Sequence, residues 1–341
     1  MHRPRQPSAA TEGPRGPRSD PRVASGARPA QESRPVPTSA DTSVAPIPGV
    51  LDATYVHGAG AAADAPPDLI IEIPHGATAT TDYDHYATRL SSALPASLVD
   101  FFHVNTDAGA PELALATAAR FVSEAPTRTA LILRCRIPRT FIDCNRRIDA
   151  PLADFKEGKV TPGLMPWITT PADRTLLRAA YDAYVGAVHA ALATLAPGGA
   201  ILLLHTYAPR SLDVAVDEHI VASLRAAYQP GVVETWPLRP EVDVIGRALD
   251  GTDHAPAAVV AALRDGLAPL GVAVAESATY PLHPSTLAWD HVLAHPGRAI
   301  CVEIRRDLLA DPWDPFAEQR IGAAQVARLA GPLADAVRRW W

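Results

Sequence analysis

The stretch AILLLH, residues 200–205, runs five apolar side chains into a histidine. It follows the turn signal Pro197-Gly198-Gly199. A short unbroken apolar run bounded by turn residues reads as a strand buried on both faces, the kind found inside parallel sheets. LIIEI (69–73), FFHV (101–104), TALILRCRI (129–137), VAVAE (272–276) and AICVEI (299–304) have the same character. Longer amphipathic patterns lie between them, at about 83–94, 111–123, 172–195, 255–268 and 317–338. Pro111 stands near the start of one of these and Thr170-Pro171 just before another, which are helix-start signals. Strands alternating with helices predict an α/β fold, a three-layer α/β/α sandwich with a mixed, largely parallel sheet.

Composition divides the chain of 341 residues unevenly. Residues 1–45 are rich in Pro, Arg, Ser, Ala and Gly and nearly devoid of large apolar side chains, so they read as a disordered tail. Residues 46–341 are enough for a single catalytic domain. The tail holds seven arginines against four acids, a net of +3; with −6 overall, the remainder carries −9. An acidic body argues against a nucleic-acid-binding protein. No run has the length of a signal-peptide core or a membrane span, so the expectation is a cytoplasmic protein without membrane attachment. Cys135, Cys144 and Cys301 sit in apolar runs at wide spacing and read as reduced core thiols.

In parallel sheets the ligand crevice lies beyond the carboxyl ends of the strands. Polar residues collect there: His75 after 69–73, Asp107 after 101–104, His205 ending 200–205, and Glu303 near the end of 299–304. A buried imidazole needs a hydrogen-bond partner or a metal, so His205 is either a core histidine bonded to a carbonyl or a ligand. His75, in the loop after Pro74, is either a structural or idle loop histidine or a ligand; together the two histidines suit a catalytic zinc, which takes N and O ligands and keeps one position open. Asp107 is either the third ligand or a helix cap; Glu72 is an alternative ligand unless strand alternation turns it away. Glu303 either pairs with Arg305 or Arg306, or serves as general base and then acid near the metal.

The segment RCRIPRTFIDCNRR (134–147) delivers Arg139, Asp143, Asn145 and Arg146 close together, broken by Ile137, Phe141 and Ile142. Arginine forks bind carboxylates in a bidentate manner and remain charged, so Arg139, Asn145 and Arg146 suit a substrate carboxylate. The competing reading is an edge strand with solvated arginines. His283 and His291 either line the pocket or are loop and helix residues without chemistry.

Taken together, IPHG (73–76), RTFIDCNRR (139–147), LLLHTY (202–207) and VEIRRDLL (302–309) resemble the N-formylglutamate amidohydrolase family, over roughly residues 66–335. That family shares its fold with zinc carboxypeptidases and aspartoacylase-like deacylases. The resemblance implies zinc-dependent hydrolysis of a small acidic N-acyl amino acid. It matches His75 and His205 to the two histidine ligands and Arg139, Asn145 and Arg146 to the carboxylate-binding residues. It matches Glu303 to the catalytic glutamate. The wider relatives carry a glutamate three residues after the first histidine; Thr78 stands there, which makes Asp107 the substitute ligand. The implied partner is a small acidic molecule. A peptide-cutting zinc carboxypeptidase and a metal-free binding protein on the same fold are the alternatives.

Overall fold

Along β2 (Leu69–Ile73) all five side chains are buried, so the strand is covered on both faces. β3 (Thr129–Cys135), β4 (Ala200–Tyr207) and β7 (Ala299–Arg305) are nearly as enclosed. These four run parallel at the centre of a seven-stranded sheet in a computed structural model that describes residues 43–158 and 160–341. β1 (Leu51–His57) lies antiparallel on the outside of β3. On the other side β5 (Val242–Val244) pairs antiparallel with β7, and β6 (Val274–Glu276) parallel with β5. The order is β1-β3-β2-β4-β7-β5-β6.

One face of the sheet packs Ile71, Ile132, Leu202 and Val302 against α3 (Ala110–Glu124), α7 (Ala257–Leu267) and α9 (Ala323–Val337). The other packs Ile70, Leu131 and Leu133 against α1 (Thr80–Ala87), α2 (Leu98–Asn105), α5 (Pro171–Ala193) and α6 (Ile220–Ala227). There α8 (Leu287–Ala294) covers Ile201, Leu203 and Cys301. The sandwich is therefore α/β/α around a mixed, largely parallel sheet, as the apolar runs predict. Residues 1–42, which hold almost all of the predicted tail, lie outside the described residues. Among the described residues no helix is long and apolar enough to cross a membrane. The three cysteines are free and buried.

Several expected elements differ. FFHV is not a strand; it belongs to α2, where Leu98, Phe101, Phe102 and Val104 are buried. Each such side chain gains about 1.5–3 kcal/mol from burial, against propensity differences under about 1 kcal/mol per residue. Packing therefore decides between helix and strand, and four apolar letters alone cannot. The predicted helix at 83–94 ends at Ala87, because the chain beyond is captured elsewhere: the Ser91 and Ser92 N–H groups donate to Asp173 at the start of α5. α9 begins at Ala323 rather than 317. β3 stops at Cys135, three residues before Pro138, and residues 138–147 form turns. β3 lies between β1 and β2, so the edge-strand reading of the arginine segment does not hold.

The passage from α2 to α3 occupies Thr106–Gly109, and Gly109 makes it possible with φ +89°. A Cβ there would meet Leu309 Cδ1 at 2.8 Å. A left-handed backbone and a blocked Cβ position both require glycine. Gly109→Ala is expected to destabilise the protein by about 1–3 kcal/mol, read as a lower urea midpoint; an unchanged midpoint would refute the account.

Candidate metal centre and active site

Pro74 ends β2 and leaves His75 in the turn beyond it. Gly76 must be small there, since a Cβ would lie 2.6 Å from Arg134 Cγ. His205 and Glu303 are register partners on adjacent strands β4 and β7. Both follow the alternation of Leu203 and Cys301, on the face opposite α3, α7 and α9. Asp107 reaches the same place from the α2–α3 turn, not from a strand as expected. That turn is tied at both ends: Thr106 Oγ1 donates to the Ala77 carbonyl, and Thr206 Oγ1 on β4 donates to the Ala108 carbonyl at 2.9 Å. The Asp107 N–H also donates to the His75 carbonyl at 3.3 Å. Asp107 does not cap α3, whose N-cap is Gly109.

Asp107 Oδ2 lies 3.2 Å from His75 Nδ1 and 3.0 Å from His205 Nδ1. All three residues are at most 3% exposed, and their donor atoms fall within 4.8 Å of one another. His75 Nε2 faces Asp143 Oδ1 at 2.8 Å. If the Nε2 proton is donated to Asp143, a neutral His75 turns its Nδ1 lone pair toward Asp107 Oδ2. Arg139 Nη1 approaches that nitrogen at 3.4 Å, and a cation between the two facing acceptors would satisfy both. Two imidazole nitrogens and one carboxylate oxygen are a donor set suited to a first-row divalent ion. The residues present therefore fit a metal, and a histidine ligand backed by a carboxylate is the usual orienting arrangement.

Thr78 takes no part: its hydroxyl accepts from Arg134 Nη2 at 3.3 Å and its N–H donates to Asp82 at 3.1 Å. Glu72 shares a face with His205 but lies deeper, level with Leu203; it accepts from the Tyr184 hydroxyl at 2.9 Å and sits 3.4 Å from His291 Nε2. His283 is engaged by Ser285 at 2.8 Å. Neither His283 nor His291 is among the residues lining the cavity.

The cavity holds about 820 Å³, a size suited to a small-molecule ligand. His75, His205, Glu303, Arg139, Asn145 and Arg146 all line it, so the structure brings every predicted site residue except Asp107 to the same cavity, and Asp107 touches His75 and His205. The arginines are not solvated. Arg146 is buried, with Nε donating to the Thr161 carbonyl at 3.2 Å and Nη1 to the Asn145 carbonyl at 3.1 Å. Arg139 Nη2 donates to Asp143 Oδ2 at 3.1 Å, and Arg146 Nη2 lies 3.4 Å from the same oxygen. The Asn145 N–H donates to Asp143 Oδ1 at 2.9 Å, and the Asn145 side-chain oxygen accepts from the Ala288 N–H at 3.1 Å.

Burial alone would raise the Asp107 carboxyl, but His75 and His205 reverse this and hold it well below the usual carboxylate range. Asp143 is likewise held low against its burial, first by Arg146 and then by His75 and Arg139. Glu303 goes the other way. Burial, with Asp107 adding to it against His205, Arg239 and Arg139, pushes it up to about 7. Its Oε2 is buried without a hydrogen-bond partner, so it pairs with neither Arg305 nor Arg306. A carboxyl poised near neutrality in a cleft has the properties of a proton-transfer group.

Three residues escaped the sequence reading of the site. Asp143 had a signal, an acid among arginines in RTFIDCNRR, but its place behind His75 depends on the tertiary fold. Arg239, from the β4–β5 connection, has no local pattern to mark it. Arg306 was legible only as a possible partner of Glu303; instead it is buried, lines the cavity and donates from Nη1 to the Val104 carbonyl at 2.7 Å.

A family model described as N-formylglutamate amidohydrolase matches residues 68–310. Among solved structures, the chain is similar in fold to the crystal structure of N-formylglutamate amidohydrolase from Ralstonia eutropha JMP134. The identity is 19%, the alignment covers 84% of this chain and 98% of that one, and the TM-score is 0.51. A gene product from Agrobacterium tumefaciens shows 20% identity over 85% of this chain and 94% of that one, with a TM-score of 0.49. Among curated proteins none matches the chain in sequence.

Asp143→Asn is expected to weaken binding of a divalent metal by about 10–100-fold, measured by competition with a chromophoric chelator. An unchanged Kd would show that Asp143 does not orient His75.

Proposed function

The chain belongs to the N-formylglutamate amidohydrolase family, and from that premise we propose that it hydrolyses the amide bond of a small acidic N-acyl amino acid at a zinc site formed by His75, Asp107 and His205. The observation that carries this reading is the convergence of those three donors beside Glu303, an acid raised to about 7 in the same cavity. The complete donor set, with Asp107 serving where Thr78 cannot, argues against a metal-free binding protein.

A zinc ion bound there would supply Lewis-acid polarisation of the amide carbonyl and make water more acidic. Glu303 accepts the proton from the attacking water and delivers it to the leaving nitrogen as the C–N bond breaks, so one carboxyl serves as base and then acid. Its unpartnered Oε2 leaves it free to do so. Asn145 and Arg146 hold the substrate's α-carboxylate. Arg139, which reaches within 3.4 Å of His75 Nδ1 while bonded to Asp143, is the cation best placed to stabilise the tetrahedral oxyanion. Asp143 fixes the orientation of His75 and of both arginines together.

The reading is tested by assaying zinc-loaded and chelator-treated protein on N-formylglutamate beside short peptides. Turnover of the former alone, lost on chelation and restored by zinc, is expected; cleavage of peptides in preference would favour a carboxypeptidase. Glu303→Gln should lower kcat by about 10²–10⁴-fold while leaving the metal content intact. The base must be ionised to act, so kcat/KM should fall as the pH drops through the Glu303 pKa. That limb should lie at or below about 7, since a bound cation favours the carboxylate. A profile flat from about pH 5 to about pH 8 would remove Glu303 from the role.

A further inference from the structure

The cavity is larger than N-formylglutamate requires. It holds about 820 Å³. N-formylglutamate has about a dozen non-hydrogen atoms, and even at the roughly 30 Å³ that a water molecule occupies in the liquid these fill only about 360 Å³. More than half of the space is left over, and much of its wall is apolar. The charged and polar groups assigned to the reaction come from the strand ends and from segment 139–146. Phe101 and Val104 of α2, Ile220 and Leu224 of α6, and Leu212 and Val214 on the connection from β4 to α6 also line the cavity.

These six side chains belong to one apolar cluster. The two helices are tied side by side, with Arg225 Nε of α6 donating to Asp100 of α2 at 2.8 Å. Phe101, Val104, Ile220 and Leu224 are buried, whereas Leu212 and Val214 are half-buried. The last carbonyls of α2, which would make this wall polar, are taken up by Arg306: Nη1 donates to His103 at 3.3 Å and to Val104 at 2.7 Å. Covering the remaining apolar surface with hydrocarbon is favourable in proportion to the area removed from water.

The amide itself decides which part of the substrate reaches this wall. In the proposed reaction Asn145 and Arg146 hold the amino acid by its α-carboxylate, and the carbonyl lies at the histidines beside Glu303. Asn145 and Arg146 are bonded to Ala288 and Thr161, on elements other than those of the apolar wall. The remaining substituent of the amide is the acyl chain, which no charged group holds.

We infer that the wall formed by α2, α6 and the connection before α6 is an acyl-chain subsite, and that the substrate is an acidic amino acid N-acylated with an apolar chain of several carbons. This deepens the amidohydrolase reading and rests on it for the position of the scissile bond. Water's hydroxyl goes to the acyl carbon and its other hydrogen to the nitrogen as the C–N bond breaks, releasing a free fatty acid and the amino acid.

The test measures binding without turnover, on zinc-loaded Glu303→Gln protein, with the N-formyl, N-acetyl, N-butanoyl and N-hexanoyl derivatives of L-glutamate. A methylene fully withdrawn from water changes affinity about fourfold. Calorimetry should therefore show a rise of about 2–4-fold per methylene, and a hexanoyl-to-acetyl ratio of about 16-fold or more. Val214→Asp, which puts a charge on the wall, should reduce that ratio about fivefold or more. Leu212→Ala, a milder change, should reduce it about two- to threefold. Circular dichroism checks that each variant folds, and the ratio is insensitive to a uniform loss of active protein. An affinity that is flat or falls beyond acetyl, or a ratio that every folded variant leaves within about 1.5-fold of the parent's, overturns the subsite. So does a gain from N-formyl-L-alanine to N-formyl-L-norleucine with none along the acyl series, since the wall would then serve the amino-acid side chain. If wild-type protein hydrolyses none of these compounds, the hydrolase reading falls while the affinity series still decides the subsite.

Discussion

The carboxylate of Asp143 joins the two halves of the site. One oxygen receives the Asn145 N–H and faces His75 Nε2; the other receives Arg139 and lies beside Arg146. The side chain is fully buried, and an unpaired charge there would cost several kcal/mol. With an imidazole, two guanidinium groups and a backbone donor around it, that cost is offset by charge-assisted hydrogen bonds. Displacing any one of these partners disturbs the others, because they share two oxygen atoms. The segment that carries Asp143 is itself anchored from outside. The Tyr181 hydroxyl on α5 donates to the Arg146 carbonyl at 2.7 Å, and Trp167 Nε1 donates to the Thr140 carbonyl at 3.1 Å. The histidine end and the arginine end of the site are thus oriented by one element fixed to the helical layer.

What could be seen in the sequence followed the physics of the sheet. Strands β2, β4 and β7 are buried on both faces, so they stand out as apolar runs, and a histidine or glutamate at their ends is conspicuous. His75, His205 and Glu303 were legible for that reason. The outer strands were not. β1 is half-exposed or exposed at every residue after Leu51, and β5 is only three residues long. FFHV misled because a buried helix and a buried strand share the same letters when the stretch is short. Asp107 was found for a partly wrong reason: it follows a helix, yet the turn that carries it is drawn between β2 and β4 by Thr106 and Thr206. Arg239 and Arg306 could not have been assigned, since only the tertiary fold brings them to the cavity.

Charge in this site is sorted by environment more than by residue type. Two buried acids and one partly buried acid lie within one small region. Asp107 and Asp143 are surrounded by donors and cations and held ionised, whereas Glu303, open on one side to the cavity and without a bonded donor on Oε2, is lifted toward neutrality. The same carboxyl chemistry is thereby divided between permanent anions that orient their neighbours and one acid free to exchange its proton.

The placement of Arg239 on the connection from β4 to β5, apart from the strands that carry His205 and Glu303, separates two kinds of substitution. Substitutions in that crossover reach the cavity wall through Arg239, although Glu241 also ties it to Arg305 of β7 and to the Ala273 N–H beside β6. Changes in β4 or β7 would disturb the paired strands that hold His205 and Glu303 side by side. A scaffold divided in this way can change part of its cavity lining without altering its central strands.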